Sequence, residues 1–368
     1  MKVISTGNSY RVYDDNLKTY ESFPAQVYKI CFSMQSGFFA EKYQDIVNKE
    51  KTYGVVDEKA QKAINNFKQS KKNLGVILSG PKGMGKSLTA KLIVEKAVAT
   101  NYPVFIVDTY YPGIANYIND IQQECIVLFD EFDKTFCGKC EERDTSDDPQ
   151  TEMLSLFDGI GTGKKMFVIT CNEIRNLNDF LVNRPGRFHY HFRFEYPTSD
   201  EIRLYLRDNL NEKYWGEIEE VVKFASKVNL NYDCLRAIVF ELSLGEPFTE
   251  AIKDLNIVNV DYDMYDITVM FANGNVAYSK NVEIDMFEDN IVTASICNKF
   301  GNYVGRIIFN PAMAKFNSDH CCYCADLEDA KVEIENRKDY EEITKDYRAT
   351  PELIKIKRCK TESLHYKI

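Results

Sequence analysis

The sequence predicts an α/β fold: a parallel sheet with helices on both faces, followed by a helical segment and a small C-terminal antiparallel β-rich domain. Three observations predict it. Between residues 51 and 197 short apolar runs alternate with stretches of helical period, and strands separated by helices build parallel sheets covered on both faces. Residues 198–255 carry the helical period alone, and from residue 256 to 368 the apolar period shortens to two, as in half-buried strands. Residues 1–50 alternate in places (SYRVYDD, AQVYKICFS) and read as a short β-containing leader.

In chain order, TYGVVDEKAQKAINNFKQS is helical, LGVILSG is a buried strand, and the next helix opens at Lys86. VFIVD and CIVLFD are strands, TEMLSLFDGI a helix and MFVIT a further strand. The helical segment holds TSDEIRLYLRDNL, EIEEVVKFASKV, YDCLRAIVFEL and FTEAIKDL. Its first helix opens on Thr-Ser-Asp, a capping cluster. In the tail, Asn273-Gly274 between alternating segments signals a hairpin. Residues 327–347 are charged and partly helical, and ELIKIKRCK supplies a last strand.

The composition, 44% hydrophobic and 28% charged over 368 residues, supports a sizeable core and more than one domain. A net charge of −10 argues against a generally basic, nucleic-acid-binding surface. The N-terminus lacks a secretory apolar core, and no run reaches the roughly 18–20 apolar residues of a membrane helix. Eleven scattered cysteines then read as reduced thiols, and the expected location is the cytoplasm.

Residues 80–87, GPKGMGKS, follow a strand and open a helix, the setting in which a GxxxxGK[ST] loop cradles phosphate. Gly80, Pro81, Lys82, Gly83, Met84, Gly85 and Leu88 shape the cradle, where backbone N–H groups and the helix N-terminus favour an anion. Lys86 is placed to bridge the β- and γ-phosphates of ATP and Ser87 to bind Mg²⁺. CIVLFDE brings Asp130 to a strand end, where it supports Mg²⁺ through water, with Glu131 beside it to deprotonate an attacking water. Asn172 ends the strand MFVITCN and places the lytic water, senses the γ-phosphate or simply forms a turn.

Together these parts resemble the AAA+ superfamily, and within it the AAA clade, over roughly residues 52–250. Phosphate loop, Asp-Glu strand, strand-end Asn and the RPGRF turn stand in that family's order, and MFVITCNEIRNLNDFLVNRPGRF resembles the clade's second region of homology. The resemblance implies a P-loop NTPase parallel sheet, the AAA+ αβα core (51–197), with a helical lid (198–255). It implies that Gly54 in TYGVV lies against adenine. It also implies that Arg184 and Arg187 reach into the neighbouring subunit's site, so that the active unit is a homo-oligomeric ring, a hexamer. An arginine supplied in trans is worth orders of magnitude in rate. Tyr111-Pro112-Gly113, with Tyr110 alongside, stands where family members carry a pore loop that grips an extended polypeptide; the proline stiffens it. Asp233 falls on the clade's Gly-Ala-Asp pattern with Arg236 one turn on, which leaves the second sensor open. The compact layout is similar to AAA ATPases encoded by tailed bacteriophages, which would place the protein in a host cytoplasm.

Two further patterns have ordinary readings. CGKC (137–140) and the pair Cys321 and Cys324 have zinc spacing but stand far apart, so reduced thiols are the default. His189 and His191 share a strand face without a third ligand. The expected function is an ATP-hydrolysing ring that remodels a protein client, without a membrane partner. The alternatives are a nucleic-acid-associated motor or loader, for which no basic-aromatic stripe is seen, and an ATP-gated assembly scaffold with little turnover.

Overall fold

The computed structural model describes residues 1–49, 51–136, 149–158, 163–182, 186–257, 264–287, 289–318 and 322–359. The chain divides into two compact units, Met1–Glu195 and Tyr196–Ile368.

The first unit opens with an exposed hairpin, β1 (Lys2–Thr6) and β2 (Ser9–Tyr13). There follow β3 (Val27–Ser33), β4 (Gly37–Lys42), α1 (Val56–Gln69), β5 (Leu74–Ser79) and α2 (Lys86–Ala99). Next are β6 (Val104–Val107), α3 (Ile114–Asp120), β7 (Cys125–Phe129), α4 (Phe132–Thr135) and α5 (Pro149–Phe157). The unit closes with β8 (Lys165–Cys171), α6 (Asp179–Val182) and β9 (Tyr190–Arg193). Seven strands form one sheet in the order β4-β3-β6-β7-β8-β5-β9. All pair in parallel except β4, which returns antiparallel along β3.

Strands β5, β7 and β8 are buried along their whole length, which is why they read as unbroken apolar runs rather than alternations. Helix α1 buries Val56, Ala60, Ala63, Ile64 and Phe67, a stripe at helical spacing. The leader does more than precede the core: β3 extends the sheet beside β6, and Tyr28 stacks on Phe105 with ring centroids 5.3 Å apart. Gly75 in β5 is required by close approach. A Cβ there would fall 2.2 Å from the backbone oxygen of Arg187, and His189 N donates to Gly75 O at 2.9 Å.

The second unit begins with α7 (Ser199–Asn209), closed at its start by a capping box between Thr198 and Glu201. Helices α8 (Ile218–Ala225), α9 (Tyr232–Leu244) and α10 (Phe248–Asp254) follow. Strands β10 (Met264–Phe271), β11 (Val276–Glu283), β12 (Val292–Cys297), β13 (Tyr303–Phe309), β14 (Lys315–Asn317), β15 (Cys322–Ala325), β16 (Lys331–Ile334) and β17 (Pro351–Arg358) complete it. They form an antiparallel sheet ordered β14-β15-β17-β10-β11-β12-β13-β16. The Asn273-Gly274 turn joins β10 to β11, with Gly274 at φ +80°.

Helices and sheet share this unit. Tyr323 Oη donates to Lys223 O at 3.1 Å, and Lys227 donates to Met286 O at 3.0 Å while lying 4.5 Å from the Phe287 ring centroid. Burial lowers the pKa of Lys227, and neighbouring Lys223 adds to the effect. Among the described residues no helix is long and apolar enough to cross a membrane.

Candidate functional site

Because β5, β7 and β8 run parallel, their C-terminal ends lie along one edge of the sheet, and the polar residues gather there. Gly80 (φ +143°), Gly83 (φ +73°) and Gly85 (φ +89°) turn the chain from β5 into α2 through left-handed backbone that only glycine adopts readily. The N-terminus of α2 has no side-chain cap and no acidic residue in its first turn. Its orphan N–H groups and dipole therefore present a positive end suited to phosphate. Met84 is buried, Lys82 and Ser87 are exposed, and Pro81 and Leu88 are half-buried. A Cβ on Gly85 would meet Val56 Cγ1 at 3.3 Å, so the segment after Gly54 (φ +64°) packs beside the loop.

Lys86 is 7% exposed. Its ammonium donates to Gly80 O (2.5 Å), Pro81 O (2.6 Å) and Asn172 Oδ1 (3.1 Å). Burial lowers its pKa, against an opposing pull from Cys171 and the carboxylates of Asp133, Glu131 and Asp130. Phosphate oxygens are the same class of acceptor with more charge, so the cradle fits a nucleotide triphosphate.

Asp130 and Glu131 follow β7. Thr170, on the neighbouring strand β8, joins them: its hydroxyl donates to Asp130 Oδ1 at 2.7 Å and accepts from Glu131 N at 2.8 Å. Glu131 stands at φ +47°, uncommon for a residue with a Cβ, and its carboxylate is half-exposed beside Lys134. The hydrogen bond from Lys134 holds its pKa below the usual glutamate range, which keeps it in the proton-accepting form. Buried Asp133 accepts from the backbone N–H of Asn172 at 2.9 Å and fixes the end of β8. Among the described residues its buried Oδ1 has no hydrogen-bond partner. Burial pushes the Cys171 thiol up to about 12, assisted by Asp133.

Arg187 is 6% exposed. Its guanidinium pairs bidentately with Asp158, just past α5, one arm at 2.6 Å, and donates to Phe180 O at 2.8 Å. That pair raises its pKa. Arg184 lies outside the described residues. Tyr110 Oη donates to Glu152 Oε2 at 2.6 Å, and Gly113 N donates to Glu152 Oε1 at 2.9 Å. Tyr111 packs on Phe32.

The chain order conceals Thr170, Asp133, Asp158 and Glu152. Only Asp133, one turn beyond Asp130 in DEFD, carries a local signal. His191 Nε2 lies 2.6 Å from Ser79 Oγ, while His189 precedes β9. CGKC and Cys321 lie outside the described residues. Among the described residues no three His, Cys, Asp or Glu gather as a metal site.

A glycine-rich loop at a helix N-terminus, an Asp-Glu pair at one adjoining strand end and an Asn at another define a P-loop nucleotide-hydrolase core. Comparison with known proteins gives a family match over part of the chain. Residues 76–196 match the model described as "ATPase family associated with various cellular activities (AAA)", and this stretch is an AAA ATPase domain, whose chemistry is ATP hydrolysis. The chain is similar to "Peroxisomal ATPase PEX6" of Eremothecium gossypii, 27% identical over 61% of this chain and 22% of that protein. It is likewise similar to "Proteasome-activating nucleotidase" of Methanococcus maripaludis, 27% identical over 54% of this chain and 55% of that one. "ATP-dependent zinc metalloprotease FtsH" of Aster yellows witches'-broom phytoplasma is 28% identical over 40% of this chain and 24% of its own length. The chain thus spans between 22% and 55% of the length of these three relatives.

Proposed function

We propose that the chain is the ATP-hydrolysing subunit of a homo-oligomeric ring of six copies that remodels a protein client in the cytoplasm. The observation that carries this reading is the meeting of Lys86, Asn172, Asp130 and Glu131 at one sheet edge, fastened by Thr170 and Asp133. Lys86 and the first turn of α2 hold the β- and γ-phosphates. Ser87 and Asp130 are hard oxygen donors that fit Mg²⁺, which, when bound, neutralises phosphate charge. Ionised Glu131 takes the proton of an attacking water, and the Asn172 amide orients the reacting end of the nucleotide.

Arg184 and Arg187 act on the neighbouring subunit's γ-phosphate. For Arg187 this means exchanging the Asp158 carboxylate for phosphate oxygens, an exchange of like acceptors suited to its bidentate fork. The loop bearing Tyr110 and Tyr111 contacts the client. A protein client is favoured because two of the similar proteins are named for a proteasome and for a protease.

The test is the Glu131→Gln protein, weighed as particles with saturating ATP and with ADP. A discrete ring of about six subunits with ATP supports the reading. A monomer under both conditions sinks the trans assignment of Arg184 and Arg187.

A further inference from the structure

The segment between β6 and α3 is gripped from the side of the leader. Lys29 on β3 pairs with Asp108, the first residue after β6, at 2.6 Å. Phe32 lies 5.2 Å from the Tyr111 ring, centroid to centroid. Phe38 stacks on Tyr117 of α3 at 5.4 Å and stands 3.6 Å from where a Cβ on Gly113 would be. Phe32 and Phe38 face each other directly across the β3–β4 ladder, their own rings 4.9 Å apart. One cross-strand pair therefore braces the middle and the end of the loop, and one ion pair braces its start. Such pairs are the stabilising unit of a two-stranded edge. The strand β3 runs parallel to β6, so the hairpin tip lies at the same sheet edge as the loop.

We propose that the β3–β4 hairpin is the positioning element of loop 108–113, and that Phe32 and Phe38 hold Tyr111 in the orientation that contacts an extended polypeptide. This rests on the reading of that loop as the client-contacting one. On its inner side the loop is held at Tyr110 and Gly113, by Glu152 and the Phe136 ring, whereas Tyr111 packs on Phe32 of the hairpin. An aromatic held in one rotamer presents its face without the ordering cost that a loose side chain meets on binding.

The experiment compares the full-length wild type, Phe32→Ala/Phe38→Ala, Phe32→Leu/Phe38→Leu and Tyr111→Ala. Basal ATP hydrolysis and hydrolysis in the presence of α-casein, an unfolded polypeptide, are read for each. A second readout is the indole emission of Tyr111→Trp in a Trp215→Phe background, with and without the alanine pair. The expected result for the alanine pair is basal turnover within about twofold of wild type, casein stimulation reduced about fivefold or more, and a red-shifted indole emission. The leucine pair should recover most of the stimulation. If Tyr111→Ala loses stimulation while the alanine pair keeps it, the hairpin's role is overturned and the reading of the loop stands. If casein stimulates neither wild type nor variants, or if Tyr111→Ala is stimulated like wild type, the reading of the loop fails and the proposal falls with it. An unmoved emission overturns the hairpin's grip directly.

Discussion

The two sheets of this chain solve burial in opposite ways. In the first unit β5, β7 and β8 are buried on both faces, so a polar side chain can work only where a strand ends. In the second unit β10 alternates, with Tyr265, Ile267, Val269 and Phe271 packed inward and the residues between them more exposed. Its open face carries ion pairs such as Arg306–Glu333 and Lys331–Glu333. A doubly covered sheet thus forces chemistry onto one edge, where dipoles and charges converge, whereas a singly covered sheet spreads its polar groups over a surface that suits contact rather than reaction.

The comparison breaks most sharply at Glu131. Replacing it with Gln should lower turnover by about 10²–10⁴-fold with ATP affinity kept, read by phosphate release and nucleotide binding. Retention of a large part of the turnover would move the base elsewhere. Core truncations come next. Ile169→Ala in β8 and Ile296→Ala in β12, both fully buried, should each cost about 2–5 kcal/mol in denaturant unfolding. Only the first should weaken nucleotide binding; equal loss from the second would show that the units are not separable.

Asp158→Asn leaves a buried guanidinium poorly paired. Because Asp158 is 37% exposed, the loss should be about 2 kcal/mol, below the range for fully buried pairs. A chemical melt of the ATP-free protein checks it. A smaller effect is expected from Lys134→Ala. Lys134 stabilises the Glu131 anion, so its removal raises the pKa of that carboxylate. The base is then protonated at higher pH on acidification, and the acid limb of the pH–rate profile should move upward. Lys315→Ala, which removes a solvent-exposed pair with Asp326, should leave the melting midpoint unchanged.

The residues legible in the sequence are those whose chemistry is local. GPKGMGKS stands out because the loop contributes backbone N–H groups from consecutive residues, and Asp130 and Glu131 because an apolar strand leads straight into them. What stayed hidden is lateral. Thr170 looks like an ordinary strand residue, and only the β7–β8 pairing places it against Asp130 and Glu131. Arg187 is conspicuous in RPGRF, yet its partner Asp158 is 29 positions away. The leader showed alternation, but not that β3 and β4 would extend the parallel sheet, because a strand's pattern records how it is covered and not which strand it joins. The helices of 198–255 and the tail read as separate segments; that they share a unit rests on contacts such as Tyr323 to Lys223, which no periodicity encodes.

Gly75 ties two distant stretches of the chain into one inherited decision. The room it leaves is filled by Arg187 and Phe188, so these two residues sit where they do partly because a side chain is missing from β5. Lineages that gain any side chain at position 75 must move Arg187 and Phe188 in the same step or lose the close contact. Positions 75 and 187–188 should therefore vary as a set, though nothing in the local motif at either place would suggest the link.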